Sequence, residues 1–293
     1  MSHILACTDG SLYAPSVYEH SAWAAARLDA GVRVLHVIDP HREHAQTADL
    51  SGAIGFDASA ELTEELTRLE ESRARVARLR GTAILDDARA RLAAAGIADI
   101  ETLQRHGSLI DTLEELEPAA ALVVIGKRGE HADFAKGHLG GQVQRVIRTS
   151  VRPVLVAPRA FQPVRRFLIA FDGGESISRG IEFILAHPLL RELPGHLLRA
   201  GKIDDNARWF LEEAAERLRA AGYEITTQAI SESPDTAIPA ALREQDADLL
   251  VMGAYGHSPI RQFILGSTTT AMVRTSSVPV LMFRPTRPDC VTS

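Results

Sequence analysis

An internal duplication constrains this chain more than any other feature. The apolar run Ile4-Leu-Ala-Cys-Thr-Asp9-Gly10 recurs as Phe167-Leu-Ile-Ala-Phe-Asp172-Gly173, and each copy leads into a helical pattern. Downstream, Ala120-Ala-Leu-Val-Val-Ile-Gly126 parallels Ala247-Asp-Leu-Leu-Val-Met-Gly253, and Arg148-Thr-Ser-Val-Arg-Pro153 parallels Arg274-Thr-Ser-Ser-Val-Pro279. Three matched segments in one order divide the 293 residues into two similar units. Pro158 and Pro163 bracket the passage between them, which sets domains at 1–160 and 161–293 with a boundary near residue 161.

Within each copy, short continuous apolar runs alternate with longer helical stretches. A parallel sheet buried on both faces by crossover helices reads this way. Strands are expected near 3–8, 31–38, 98–104, 120–126 and 152–157, then near 166–171, 195–200, 223–230, 247–253 and 278–283. The fold class is therefore α/β, with two doubly wound domains of five parallel strands each. The expected arrangement has the two domains facing one another; pairing through their last strands stays open as an alternative.

The copies differ most after the second strand. Copy one carries a polar stretch from Asp39 to Ala60, expected to be mobile, then a charged helical segment with Leu62, Leu66, Leu69, Val76 and Leu79 close to one face. That stripe reads as packing onto its own sheet, with a partner surface as the other reading. Copy two passes almost directly to a helix beginning around Asp204. The pair His41 and His44 in the insert reads as solvated loop rather than as metal ligands.

Charge and composition exclude several classes. Net charge is −6, with 18 basic against 22 acidic residues before the boundary and 14 against 16 after it, so neither half has the basic excess of a nucleic-acid binder. No apolar run approaches the roughly 18 residues of a membrane span. The beginning of the chain turns polar too soon for a signal peptide, and the two cysteines, Cys7 and Cys290, form no motif. A cytoplasmic protein is expected. There is no Walker-type G-x-x-x-x-G-K-[ST] loop and no G-x-S-x-G elbow.

Doubly wound sheets bind ligands beyond the carboxyl ends of their strands, where strand order reverses. In copy two, Gly253 and Gly256 follow the fourth strand, nine residues intervene, and Gly266, Ser267, Thr268 and Thr269 come next. Glycines let main chain approach a ligand, and a helix beginning at Ser267 offers unpaired N–H groups and hydroxyls to a phosphate. Asp172, at the end of the first strand, belongs at the same edge. His257 reads as a loop histidine.

These residues resemble the universal stress protein family, and the resemblance, to a tandem member, covers nearly the whole chain. The Gly253, Gly256, Gly266, Ser267 spacing matches that family's ATP-binding motif. The resemblance implies strand order 3-2-1-4-5 and a site for ATP with Mg2+ formed by Asp172, Met252, Gly253, Gly256, Gly266, Ser267, Thr268 and Thr269. Copy one keeps Asp9, Gly126, Gly129 and Gly140. It has ten residues between Gly129 and Gly140, Gly141 in place of Ser267 and Gln142 in place of Thr268. Lys127, Arg128 and Lys136 add charge there in partial compensation. The expected function is a nucleotide-dependent stress-response regulatory module, with copy two the stronger site, and either homodimerisation or pairing of the two domains. The alternatives are a slow ATP hydrolase or phosphoryl-transfer enzyme, and an interaction protein with vestigial sites.

Overall fold

All ten apolar runs form strands in the computed structural model, which describes residues 2–39, 56–129, 140–254 and 266–285, the stretch 56–63 by its backbone alone. The first half contains β1 (His3–Cys7), α1 (Ala14–Leu28), β2 (Gly31–Ile38), α2 (Phe56–Ala94), β3 (Ile100–His106), α3 (Leu109–Leu116), β4 (Ala120–Gly126), α4 (Gly141–Thr149) and β5 (Val154–Ala157). The second contains β6 (Phe167–Ala170), α5 (Glu175–Ala186), β7 (Gly195–Ala200), α6 (Asp205–Ala220), β8 (Ile225–Ile230), α7 (Pro234–Glu244), β9 (Leu249–Gly253), α8 (Ser267–Thr275) and β10 (Val280–Phe283). Asp204 caps α6 by accepting from Ala207 N at 2.8 Å, as its place before the helical pattern predicts.

The strands lie in the order β3-β2-β1-β4-β5-β10-β9-β6-β7-β8. Each half thus has the order 3-2-1-4-5, but the two halves do not face one another as separate sheets. They join edge to edge in one ten-stranded sheet, through an antiparallel pairing of β10 with β5 that sets Val280 against Val156, Leu281 against Leu155 and Met282 against Val154. The physical reason lies in the last strands. Each half would otherwise end in an apolar edge with unpaired backbone groups, and mutual pairing removes both edges at once.

The core continues across the seam on both faces. Leu155 and Leu281 join a layer formed with α1, the later part of α2, α5 and α6, which includes Val17, Leu92, Ile181 and Leu218. Val154, Val156, Val280 and Met282 join the opposite layer, with Leu113, Val146, Ile238 and Val273 of α3, α4, α7 and α8. Side-chain alternation along two four-residue strands therefore stitches both layers together.

The long helix α2, 39 residues, behaves differently from its expected packing. Its later part is buried through Leu85, Ala88 and Leu92. Gly81 marks where it meets the sheet: a Cβ there would lie 2.2 Å from Gln104 Nε2 and 2.8 Å from His36 Cδ2. Upstream, Leu66, Leu69, Val76 and Leu79 are 46%, 44%, 59% and 65% exposed, so the stripe does not pack on its own sheet. Of the polar stretch 39–60, residues 56–60 open α2 instead of belonging to a mobile loop, while residues 40–55, with His41 and His44, and the side chain of Leu62 lie outside the described residues.

Polar contacts across the seam follow a pattern. Lys127 Nζ donates to the carbonyl of Ser276 at 2.8 Å, and Arg284 Nη1 donates to the carbonyl of Ser150 at 3.2 Å. Ser150 and Ser276 are the C-terminal caps of α4 and α8, with the same φ of −55° and ψ of 133°. Each half therefore supplies a cation to the negative end of the other half's helix dipole. Arg27 likewise donates to the carbonyls of Leu189 and Arg191 in the second half.

Burial, reinforced by the neighbouring Arg128 charge, lowers Lys127 from its ordinary value of 10.5 to about 8. Because the folded value lies below the unfolded one, the unfolded chain binds more protons over that interval, and this group's contribution to stability rises as pH rises through it. We expect the denaturation midpoint of the native chain to gain on that of Lys127→Met between about pH 7.5 and about pH 10. Equal pH dependence of the two proteins in chemical denaturation would contradict the buried-amine contact.

Candidate functional site

Both halves turn from first strand to first helix through the same Asp-Gly step. Gly10 and Gly173 have φ of +72° and +74°, a left-handed conformation that side chains rarely adopt, which is why glycine follows the aspartate in each copy. Asp9 Oδ1 accepts from Ser11 N at 3.0 Å, and Asp172 Oδ1 accepts from Gly174 N at 2.9 Å. These turns fix both carboxylates at the carboxyl edge of the sheet.

That edge is where strand order reverses, since β1 lies between β2 and β4, and β6 between β7 and β9. The register Cys7 with Ile125, and Ala170 with Met252, brings Asp9 to the level of Lys127 and Asp172 to the level of Ala254. Each aspartate therefore stands beside the first residues after the fourth strand. In the first half the convergence is direct, because a Cβ on Gly129 would lie 2.7 Å from Asp9 Oδ2. The corresponding Gly256 falls outside the described residues, as do His257 and Lys136. Met252 lies within β9 with its side chain in the core, so it reaches the crevice only as a neighbour of Gly253.

The helices after the fourth strands start alike. Gly140 and Gly266 are the N-terminal caps of α4 and α8, with φ of −56° and −55°, and neither start is closed by a capping side chain. Helix α3 differs, because the Ser108 hydroxyl accepts from Ile110 N and Asp111 N. The first-turn N–H groups of α8 have no acceptor within the helix and point toward the carboxyl edge. Ser267 is exposed there and Thr268 is half-buried. Thr269 is buried and donates its hydroxyl to the Gly253 carbonyl at 3.2 Å, tying the helix to the end of β9 instead of offering that proton to a ligand.

The first-half edge lacks these hydroxyls. Gly141 opens α4, with nothing within 4 Å of where its Cβ would stand, and the Gln142 side-chain carbonyl is buried without a hydrogen-bond donor. Lys127, expected to add charge for a phosphate, is instead directed to Ser276 of the other half.

Two residues escaped the sequence reading. Arg199, near the end of β7, donates to the main-chain carbonyl of Asp172, and His36, near the end of β2, lies with Nδ1 3.0 Å from the carbonyl of Thr8. Their only signal was a polar side chain late in an apolar second strand. Cys7 is buried, and burial pushes its thiol up to about 12, so it has no thiolate for nucleophilic chemistry near neutral pH. Among the described residues no group of three or more His, Cys, Asp or Glu side chains is arranged to hold a metal ion.

The fold agrees with what the chain resembles. The universal stress protein family matches residues 1–158 and 175–284. Universal stress protein Slr1230 of Synechocystis is 38% identical over 287 residues, covering 97% of this chain and all of that protein. A universal stress protein structure from Archaeoglobus fulgidus DSM 4304 superposes with a TM-score of 0.64 at 23% identity, covering 97% of this chain and 96% of its own. A functionally unknown protein of Pseudomonas aeruginosa PAO1 superposes with a TM-score of 0.60 at 17% identity, covering 97% and 93%. With the family matched in two segments and a full-length relative at that identity, this chain belongs to the universal stress protein family.

Proposed function

We propose that the chain is an ATP-binding regulatory module of the cytoplasm, with its stronger nucleotide site at the edge formed by Asp172, Gly253, Gly256, Gly266, Ser267 and Thr268. The observation that carries this reading is the start of α8: an N-terminus with no capping side chain, preceded by Gly266 and followed by the exposed Ser267. Such a start presents main-chain N–H groups, a hydroxyl and the positive end of a dipole to an anion.

The residues suit a triphosphate nucleotide. Asp172 stands across the crevice as a carboxylate acceptor of the kind that holds ribose hydroxyls, and Gly266 leaves the helix start open to phosphate. Mg2+ would arrive with the phosphates, because Mg2+ takes much of its shell from phosphate oxygens and water. The domain division near residue 161 enters the same proposal: two copies of one architecture, of which the second carries the complete set of hydroxyls.

Calorimetry of the full chain is expected to show one dominant ATP site in the presence of Mg2+. The backbone φ at Gly266 is negative and so admits a side chain, while a Cβ there would lie 3.3 Å from Thr269 Oγ1, which must give by a few tenths of an ångström; circular dichroism of Gly266→Val matching the native chain is the check that it folds. Its two methyl groups should obstruct the phosphates and weaken ATP binding at least about tenfold. The matched Gly140→Val is expected to leave the dominant affinity unchanged. The reverse ranking would place the working site in the first half.

Ser267→Ala removes one donor to a charged group, a loss of roughly 1.5–3 kcal/mol, and is expected to weaken ATP binding by about tenfold or more. Unaltered affinity would show that the hydroxyl does not touch the phosphates. As a binding module, the native chain is expected to release no phosphate over multiple turnovers. Sustained release would instead make it a hydrolase.

A further inference from the structure

From the exposed part of α2 we infer an interface with a second copy of this chain, in which two such helices pair antiparallel. Residues 64–80 are almost all exposed, Ala74 and Ala77 being half-buried; the segment touches its own sheet only near its end, where Gln104 Nε2 donates to the Arg78 carbonyl at 3.3 Å, before Gly81 packs against the sheet. A helical segment of this length with little burial is marginal in water, and the ion pairs of Arg68 with Glu64 at 2.7 Å and with Glu65 at 3.7 Å add only tenths of a kcal/mol each. At 3.6 residues per turn, Leu66, Leu69, Val76 and Leu79 fall within about 140° of arc. These residues form one apolar face that none of the described residues buries, each being 44% or more exposed.

Charge identifies what covers that face. The first part of the segment carries Glu64, Glu65, Glu70 and Glu71 against Arg68 alone, and the second carries Arg73, Arg75, Arg78 and Arg80 with no acid. A second copy laid parallel would set acid against acid and base against base. Laid antiparallel about a dyad between Ser72 and Arg73, it sets Leu69 at the level of the other copy's Val76 and Leu66 at the level of its Leu79. The same register sets Glu65 at the level of Arg80 and brings Glu70 beside Arg73. One register thus sets the apolar residues level with one another and offers Glu65 and Glu70 to arginines, the two Arg73 that meet beside the dyad being flanked by the two Glu70, and it is isologous, so the assembly closes at two chains. Pairing of helices through such a seam is of the coiled-coil type.

The test uses the full chain. Light scattering is expected to give the mass of two chains for the native protein and of one for Leu69→Glu/Val76→Glu, with the near-ultraviolet circular dichroism of the buried aromatic residues Tyr18 and Tyr223 unchanged because the two substituted side chains are exposed and away from them. A monomeric native protein, or a double variant that remains dimeric, would overturn the interface. Orientation is read from single cysteines in a Cys290→Ser background, Cys7 being buried. Ser72→Cys, next to the dyad, is expected to join to its counterpart with a short bis-maleimide. Glu65→Cys, about 22 Å from its counterpart at 1.5 Å rise per residue, is expected not to. Efficient joining at Glu65→Cys would mean parallel helices and would refute the charge argument.

Discussion

The pairing of β5 with β10 determines most of what distinguishes this molecule. Both strands have four residues and both are buried throughout, so their register rests on three apolar pairs with no solvent-facing side to slip toward. Because this pairing is antiparallel in an otherwise parallel sheet, the strands of the two halves run in opposite directions. The two carboxyl edges, each with its Asp-Gly turn and uncapped helix start, consequently lie on opposite sides of the sheet. The same reversal brings the C-terminus of α8 beside Lys127 and the C-terminus of α4 beside Arg284, so the cross-half cation contacts follow from it.

The strands were legible because parallel strands buried on both faces appear as unbroken apolar runs. The aspartate and glycine positions were legible because a left-handed φ and a close approach admit few residues. The continuity of the sheet was not legible in the same way, since Val154 and Leu281 are equally suited to an edge pairing and to a core between facing sheets. Lys127 misled for a related reason: a cation after a glycine reads as a phosphate ligand, while the carbonyl that accepts from it lies 149 residues away. Periodicity placed Leu66, Leu69, Val76 and Leu79 on one face, but it carries no information about where the helix leaves its own sheet. Gly81 was the local sign of that point.

The two helix starts compare like with like. Their caps share backbone geometry within a few degrees of φ, their C-termini end in the same serine turn, and both begin beyond a fourth strand of the same topology. What differs is side-chain chemistry on an unchanged scaffold, a hydroxyl in one half and hydrogen or a carboxamide in the other. Backbone N–H groups supply the part of anion recognition that any sequence keeps, and side chains set how strongly each edge expresses it.

The passage from β5 to β6 has a consequence of its own. Two identical chains joined through the same strand pairing would carry every substitution twice, once at each edge, and would answer for both copies in their combined stability. Residues 158–166 make the pair one molecule, and a substitution then has a single address. Gln142 changes one edge and leaves the other with Thr268, and the extension of α2 adds one projecting helix where two identical chains would carry a pair. Covalent linkage thereby releases each half from the obligation to resemble its partner, while the shared sheet still holds them to one frame.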